Sequence, residues 1–170
     1  MKVLILNGSP RAKSNSVALA EAFAEGARSA GHDVETVNVA KLKVTGCLAC
    51  EYCHTVGGGK CVQKDDMQEL YPKLADADMI LIASPIYYWG FSGQMESVIT
   101  RFYAPGKPAA KKYALLLSSG SPGVYDGPVA QYKSFVSYFG AENIGVKTFC
   151  GGSQLTAENL AEMKAFGASL

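Results

Sequence analysis

Four of the five cysteines lie close together, at Cys47, Cys50, Cys53 and Cys61, and the fifth, Cys150, stands apart. Thiolates bind soft metals, and paired thiols exchange electrons. A secreted domain held by disulfides would instead spread its cysteines along a shorter chain. The clustering therefore favours metal or redox chemistry in a loop at about 45–64. Cys150 is interpreted as a small buried side chain of a strand, because free cysteine packs as a small hydrophobe.

A second chemical group follows the first apolar run of the chain. Segment 7–16 reads NGSPRAKSNS and lacks both the G-x-G-x-x-G pattern and the P-loop pattern. It places hydroxyls, an amide and a guanidinium just before a helix, where free N–H groups and the helix dipole attract anions. The alternative is that these residues only cap the helix. We favour a phosphate site, with the candidate residues Ser9, Arg11, Ser14, Asn15 and Ser16.

Two further loops carry candidate ligand contacts. The segment 84–90 ends a buried strand with three consecutive aromatic residues, Tyr87, Tyr88 and Trp89. Flat rings at a sheet edge suit a planar heteroaromatic ligand, although a subunit interface would use the same residues. The segment 119–123 is built of small residues that let the backbone approach a ligand closely.

These loops need a scaffold that brings them together. Short apolar runs such as MILIA at 79–83 and YALLL at 113–117 indicate strands covered on both faces. They alternate with segments of helical periodicity in the order βαβ-loop-αβαβαβα, which predicts a parallel sheet with helices on both sides. A proline at position 72 is expected to kink or restart the helix that contains it. We expect a flavodoxin-like α/β/α sandwich of order 2-1-3-4-5 over residues 1–170, with ligands at the carboxyl ends of the strands.

The residues of these loops also carry a family resemblance. The segment KVLILNGSPR with Ser14, Asn15 and Ser16, and the later segments Asp76–Asp78, SPIYY and Ser92–Gln94, resemble the NAD(P)H-dependent FMN reductase family of the flavodoxin-like superfamily. The resemblance reaches to about residue 120 and implies noncovalent FMN. It implies phosphate contacts from the five residues named above. It further implies that the flavin lies along Pro85, Ile86, Tyr87, Tyr88 and Trp89, and that Ser119, Gly120 and Ser121 close the far side.

The cysteine spacing C-x2-C-x2-C-x7-C looks like the compact motif of iron–sulfur flavoproteins, homo-oligomers that pair FMN with a [4Fe–4S] cluster. This resemblance implies Cys47, Cys50, Cys53 and Cys61 as cluster ligands, as three closely spaced thiolates and a fourth can hold one cluster. The proline that follows the fourth cysteine in ferredoxins is absent, since Val62 follows Cys61. A thiol redox loop and a loop without metal remain open. Zinc is disfavoured because it prefers two separated C-x2-C pairs.

Composition narrows the class of protein. The chain has 170 residues, 16 basic and 15 acidic side chains and a formal net charge of +1, without any basic block. Neither nucleic acid nor an anionic membrane is therefore an expected partner. Only the four apolar residues 3–6 lie between Lys2 and Asn7, too few for the core of a signal peptide, so we expect a cytoplasmic protein. His54 is interpreted as a surface residue.

The expected function is an FMN-dependent oxidoreductase that takes hydride from NAD(P)H and reduces a quinone, another flavin or an electron-carrier protein. No catalytic side chain is nominated, because in flavin enzymes the cofactor carries the chemistry. Two other functions compete with it: an electron-transfer module fed by ferredoxin through the cluster, and a redox sensor that uses the cysteine loop. A homodimer or homotetramer is expected.

Overall fold

The computed structural model describes residues 1–104 and 108–170. Within them a five-stranded sheet has the order β2-β1-β3-β4-β5, with every neighbouring pair parallel. The elements are β1 (Lys2–Asn7), α1 (Asn15–Ser29), β2 (Asp33–Asn38), α2 (Met67–Asp76), β3 (Met79–Pro85), α3 (Gly93–Arg101), β4 (Lys112–Ser119), α4 (Asp126–Phe139), β5 (Glu142–Cys150) and α5 (Ala157–Ala168). The predicted flavodoxin-like fold and strand order are confirmed.

The core divides into two apolar layers, one on each face of the sheet. Successive side chains of a strand point to opposite faces, so Leu4 and Leu6 join the layer under α2, α3 and α4, whereas Val3 and Ile5 join the layer under α1 and α5. The central strands β1, β3 and β4 are covered on both faces, which explains their continuous apolar sequences.

Helices α1 and α5 touch backbone to backbone at two glycines. A Cβ atom added at Gly26 would lie 1.9 Å from the carbonyl oxygen of Lys164, and one at Gly167 would lie 2.0 Å from that of Phe23. Any larger residue at either position would push the helices apart. The same face also contains an edge-to-face contact of Phe23 with Phe166 at 5.4 Å between ring centroids.

Two sequence expectations need correction. Helix α2 continues through Pro72 to Asp76, so of the two outcomes expected at this proline the restart is wrong. Cys150 is exposed and not buried. Its neighbour Phe149 occupies the inward position of β5, so the alternation of side chains turns Cys150 outward at the end of an edge strand.

The long connection between β2 and α2 is not featureless. It contains short 3₁₀ helices over Val39–Lys41 and Tyr52–His54, and a hydrogen bond from the Asp66 N–H to the Lys43 carbonyl closes its base at 3.3 Å. Among the described residues, none of the helices is long and apolar enough to cross a membrane.

Candidate functional site

The loops after four strands are joined at the carboxyl edge of the sheet. The Gly8 N–H donates to the carbonyl oxygen of Ala83 at 2.8 Å, and the Ile86 N–H donates to that of Ser118 at 2.9 Å. The Gly151 N–H donates to the carbonyl oxygen of Ser119, also at 2.9 Å. These backbone bonds set the spacing of the loops before any ligand arrives.

A cavity of about 400 Å³ opens between these loops. Most of the residues predicted to bind a cofactor line it: Ser9, Arg11, Ser14, Asn15, Ser16, Pro85, Ile86, Tyr87, Ser119 and Gly120. The cavity therefore has a polar and cationic end on the β1–α1 loop and a flatter, more apolar end on the β3–α3 loop. That polarity suits a ligand with a phosphate at one end and a planar group at the other.

A second cavity of about 370 Å³ continues past the first and shares three wall residues with it, Ile86, Ser119 and Gly120. The remaining predicted contacts, Tyr88, Trp89 and Ser121, lie here and not in the first cavity, together with Pro122 and Val124. The two spaces meet at the planar end of the first, so a ring bound there is open to a second molecule.

Short polar side chains shape the loop between β1 and α1, residues 8–14, which is called the phosphate loop after the group it is expected to bind. The side chain of Asn7 accepts a hydrogen bond from the Ser9 N–H at 2.9 Å, and the Ser9 hydroxyl accepts one from the Arg11 N–H at 3.3 Å. Ser14 caps α1 by accepting from the Val17 N–H at 3.3 Å, so the helix begins at the cavity wall. A helix N-terminus leaves its first N–H groups free for an anion, and this one faces Arg11 and Lys13.

The aromatic loop turns through an unusual backbone conformation. Tyr87 and Gly90 exchange two backbone hydrogen bonds of 3.1 Å, and the two residues between them have positive φ angles, 47° for Tyr88 and 59° for Trp89. Bulky residues rarely adopt this left-handed conformation. Tyr88 is 98% exposed and Trp89 is 61% exposed. The chain thus presents two large rings to solvent beside the second cavity.

Four wall residues of the first cavity escaped the sequence prediction: Lys13, Ser118, Gly151 and Gln154. Gln154 lies in the loop after β5, and its Nε2 atom donates at 2.7 Å to the carbonyl oxygens of Ser119 and Gly151. Its Oε1 atom is buried and has no partner. Ligands lie at the carboxyl ends of the strands in this fold, and the same rule, when it is applied to β5, predicts Gln154 as a residue of the site.

The four clustered cysteines line one small cavity of their own, together with Arg101 and Tyr103. The loop docks on the C-terminal end of α3: the Cys47 N–H donates to the Thr100 hydroxyl at 3.2 Å, and His54 Nε2 donates to the Tyr103 carbonyl at 3.0 Å. His54 is exposed, as predicted. The Tyr103 hydroxyl in turn donates to the Glu51 carboxylate at 3.0 Å.

The thiols of this loop influence one another electrostatically. The pKa of Cys53 is raised, mainly by burial and further by the negative charge that Cys61, Cys47 and Cys50 would carry as thiolates. Within the ranges 1–104 and 108–170, however, no three His, Cys, Asp or Glu side chains converge as a single metal ion requires. Among the described residues, the four thiols therefore line one cavity without forming a closed ligand shell, and the metal site stays a prediction.

The two candidate sites lie at opposite ends of α3. The helix begins beside the phosphate loop, where a Cβ atom at Gly8 would meet the Ser92 hydroxyl, and it ends at the cysteine loop. Its nine residues span about 13 Å at 1.5 Å per residue. A substitution in one site therefore does not directly contact the residues of the other site.

Both implied cofactors can be tested against these residues. FMN would fit the first cavity, which offers a cationic end, a planar end and the unpartnered Gln154 acceptor. A [4Fe–4S] cluster would find its donor set in the thiol cavity, because four thiolates are its ligands. The space between the thiols is only about 10 Å³, so they must move outward to admit it, which the exposure of Cys47 and Cys50 permits.

Comparison with known proteins agrees with this geometry. The model of the family described as NADPH-dependent FMN reductase matches residues 1–154. An iron-sulfur flavoprotein of Archaeoglobus fulgidus is 35% identical over 129 residues, covering 75% of this chain and 56% of the relative. An iron-sulfur flavoprotein of Methanosarcina thermophila is 34% identical over 101 residues, covering 59% and 52%. The chain spans about half the length of these curated relatives.

Solved structures show the same fold. An NAD(P)H:quinone oxidoreductase from Methanothermobacter marburgensis superposes with a TM-score of 0.78 at 23% identity, covering 99% of this chain and 95% of that one. An azoreductase from Bacillus anthracis superposes with a TM-score of 0.76 at 18% identity, covering all of both chains. At these identities the likeness concerns the fold.

Proposed function

The chain belongs to the NADPH-dependent FMN reductase family, and on that premise we propose that it is an FMN-dependent oxidoreductase. The observation that carries this proposal is the first cavity, whose cationic end and planar end match the two halves of FMN. Bound FMN supplies the redox chemistry, accepting hydride from NAD(P)H and reducing a quinone, another flavin or an electron-carrier protein.

In this proposal the chain binds and orients the cofactor. Arg11 and Lys13 neutralise the phosphate, and the hydroxyls of Ser9, Ser14 and Ser16 donate hydrogen bonds to it. Pro85–Tyr87 and the backbone of Ser119 and Gly120 would hold the isoalloxazine. Tyr88, Trp89 and Ser121 line the adjoining cavity, where a nicotinamide or an electron acceptor would lie against the ring.

No side chain is assigned a proton-transfer step. The ionisable side chains that line the first cavity are Arg11, Lys13 and Tyr87, and neither histidine lines it. Proton exchange with solvent through the open second cavity suffices for a flavin reaction.

The test is an anaerobic titration of the FMN-loaded protein with NADPH and with NADH, followed by the flavin absorbance. We expect bleaching by at least one nucleotide and recovery of the absorbance on adding a quinone. A protein that binds FMN but is bleached by neither nucleotide would overturn the reductase proposal.

A second candidate function is electron transfer through a [4Fe–4S] cluster held by Cys47, Cys50, Cys53 and Cys61. The observation that favours it is that all four thiols line one cavity. Four exposed lysines surround the loop, at Lys41, Lys43, Lys60 and Lys64, against a single acidic residue between Lys41 and Lys64, Glu51. This charge suits an acidic electron carrier such as ferredoxin.

Anaerobic purification distinguishes the two functions. The electron-transfer candidate requires stoichiometric iron and acid-labile sulfide and reduction by ferredoxin at a rate that falls with ionic strength. Intact FMN without iron or sulfide would exclude it and leave the reductase proposal standing.

We also propose a homodimer or homotetramer. The exposed rings of Tyr88 and Trp89, next to an open cavity, are the kind of surface that a second subunit covers. Sedimentation of the FMN-loaded protein at micromolar concentration tests this, and a monomer would contradict it.

A further inference from the structure

Arg101 is a buried charge at the end of α3, outside the flavin cavity. Its side chain is 1% exposed, and it is among the largest fully buried side chains. Taking a guanidinium out of water is costly unless every donor finds a partner. Arg101 therefore does not act at the surface, and its hydrogen-bond partners indicate its role.

Those partners lie at the two ends of the cysteine loop. The Nη1 atom of Arg101 donates to the Thr45 carbonyl oxygen at 2.8 Å and to Asp65 Oδ2 at 2.7 Å, and Nη2 donates to Asp65 Oδ1 at 3.2 Å. Thr45 stands two positions before Cys47, and Asp65 stands four positions after Cys61. One planar guanidinium thus binds the chain where it enters the loop and where it leaves it.

The two ends are also bonded to each other. The Asp65 carboxylate accepts from the Thr45 N–H at 3.1 Å and from the Met67 N–H, at the start of α2, at 3.2 Å. A guanidinium held by a two-oxygen carboxylate is a rigid pair with fixed geometry. The base of the loop is therefore closed by a ring of hydrogen bonds through Arg101, Thr45 and Asp65.

Arg101 also reaches the thiol cavity. It lines that cavity with the four cysteines, and its Nε atom donates to the Tyr71 hydroxyl at 3.3 Å. The guanidinium thus connects the base of the loop to the cavity that its thiols line.

We propose that Arg101 is the positioning residue of the cysteine loop, which fixes both ends of the loop so that the four thiols are directed to one cavity before a cluster binds. This inference rests on the proposed cluster function. Its physical content is preorganisation: a loop already closed at its base loses less conformational entropy when its thiols bind. Residues that orient metal ligands in this way change metal affinity about 10- to 100-fold when they are replaced.

The experiment compares Arg101→Lys with the matched surface variant Arg28→Lys, whose guanidinium donates to exposed Glu21 at 2.8 Å. Arg101→Lys keeps the charge but cannot bind Thr45 and both Asp65 oxygens at once. Hydrogen exchange of the FMN-loaded, cluster-free proteins is measured first. We expect exchange at least about tenfold faster in segment 43–66 of Arg101→Lys, with the flavin-cavity loops and the Arg28→Lys protein unchanged.

Cluster retention is measured second, on proteins reconstituted anaerobically with iron and sulfide. We expect Arg101→Lys to lose iron to a chelator at least about tenfold faster than the wild type and Arg28→Lys to match the wild type, while all three bind FMN equally. If Arg101→Lys is too unstable to compare, Asp65→Asn, which keeps the shape of the side chain, takes its place. We expect the same faster loss of iron from it.

The outcomes separate this inference from the cluster proposal. Unchanged exchange in segment 43–66 with unchanged iron loss would overturn the role of Arg101. A wild-type protein that takes up no iron would overturn the cluster function, and then rapid exchange confined to segment 43–66 would still identify Arg101 as the residue that orders the loop. Faster exchange throughout the chain would mean a general loss of stability and would also overturn the inference.

Discussion

The Nε2 atom of Gln154 donates to the carbonyl oxygen of Ser119 at 2.7 Å, and this bond joins the loop after β5 to the loop after β4. The same atom donates to Gly151 at 2.7 Å. One side chain, 3% exposed, therefore holds two loops of the cavity wall in place and still has an unpartnered oxygen. The pattern is that of a residue which positions a ligand-binding loop.

Replacing Gln154 should weaken both the fold and the binding of FMN. Gln154→Leu leaves the Ser119 carbonyl with one bond fewer in a buried place, so we expect a loss of about 1–3 kcal/mol in the free energy of unfolding. We expect the Kd for FMN to rise about tenfold, because the Ser119 loop loses its support. Urea unfolding and flavin fluorescence quenching measure the two effects.

The matched control is Gln131→Leu, an exposed glutamine whose Nε2 atom donates to Glu96 at 2.9 Å. It should change stability by less than about 0.5 kcal/mol and leave FMN binding as it is. If the two variants behave alike, Gln154 has no special part in the cavity.

The contrast between Gln154 and the phosphate loop shows what the sequence determines. The strands and the residues next to them were predictable, because apolar periodicity and the parallel topology place the ends of β1, β3 and β4 at one edge. Gln154 lies in the loop after β5, where a lone glutamine belongs to no sequence motif, so only the topology rule would have placed it at the site. Arg101 was missed for a different reason, since its contacts join Thr45, Asp65 and Tyr71, which are far apart in the chain. Cys150 was placed wrongly because strand alternation was not applied to the last residue of β5.

Arg11 should distinguish FMN from riboflavin. Its guanidinium lies at the cationic end of the cavity, and a bond between it and a phosphate is charge-assisted. Arg11→Ala should raise the Kd for FMN by about tenfold or more and leave the Kd for riboflavin, which has no phosphate, nearly the same. Arg28→Ala, on the far part of α1, serves as the control for net charge. Equal losses for both flavins would show that Arg11 does not contact the phosphate.

Gly8 should tolerate no side chain, because α3 begins against it. A Cβ atom there would lie 2.7 Å from the Ser92 hydroxyl and 3.0 Å from the Met95 Cβ. The Ser92 hydroxyl caps α3 by accepting from the Met95 N–H at 3.3 Å, so it cannot rotate away without loss of the cap. Gly8→Ala should therefore lower the free energy of unfolding by about 1–3 kcal/mol.

Gly93→Ala is the control for this substitution. Nothing lies within 4 Å of a Cβ at Gly93, and the residue is the first of α3. The variant should be at least as stable as the wild type, since alanine favours a helix over glycine. Urea unfolding at one pH compares the two, and equal stability of Gly8→Ala and Gly93→Ala would contradict the close approach.

Asp65 should make the stability of the protein depend on acid pH. Burial opposes its ionisation, but hydrogen bonds from Arg101 and from the Thr45 N–H outweigh burial and hold its pKa below the ordinary value of 3.8. A carboxyl whose pKa is lowered on folding stabilises the protein above its unfolded pKa, and this contribution is lost as the pH falls through the folded pKa. The stability that the Asp65 carboxylate contributes is therefore lost below about pH 4.

The measurement is urea unfolding of the wild type and of Asp65→Asn between about pH 7 and pH 3. The difference between them should be constant at the upper end and should shrink at the lower end. Glu25→Gln, which removes an exposed partner of Lys164 at 3.4 Å, should show a small difference at every pH. A difference for Asp65→Asn that stays constant down to pH 3 would contradict the assignment of the lowered pKa.

Substitutions of Tyr88 test the aromatic turn, residues 87–90. They ask whether its strained backbone serves to present the Tyr88 ring to another molecule. The φ of 47° at Tyr88 costs a residue with a Cβ about 1–2 kcal/mol, and the ring is 98% exposed, with an edge-to-face contact to Trp89 at 6.4 Å between ring centroids. Tyr88→Gly and Tyr88→Ala both remove the ring, but only glycine relieves the backbone. We expect the glycine variant to be about 1 kcal/mol more stable than the alanine variant in urea unfolding.

The two variants should nevertheless share one functional defect. Because Tyr88 lines the second cavity, loss of its ring should raise the KM for an electron acceptor in both variants to the same extent, with FMN binding unchanged. The paired design separates backbone from ring: stability should follow the Cβ atom, and KM should follow the ring. If KM differs between the glycine and alanine variants while their stabilities agree, the turn acts through backbone flexibility and not through the ring of Tyr88.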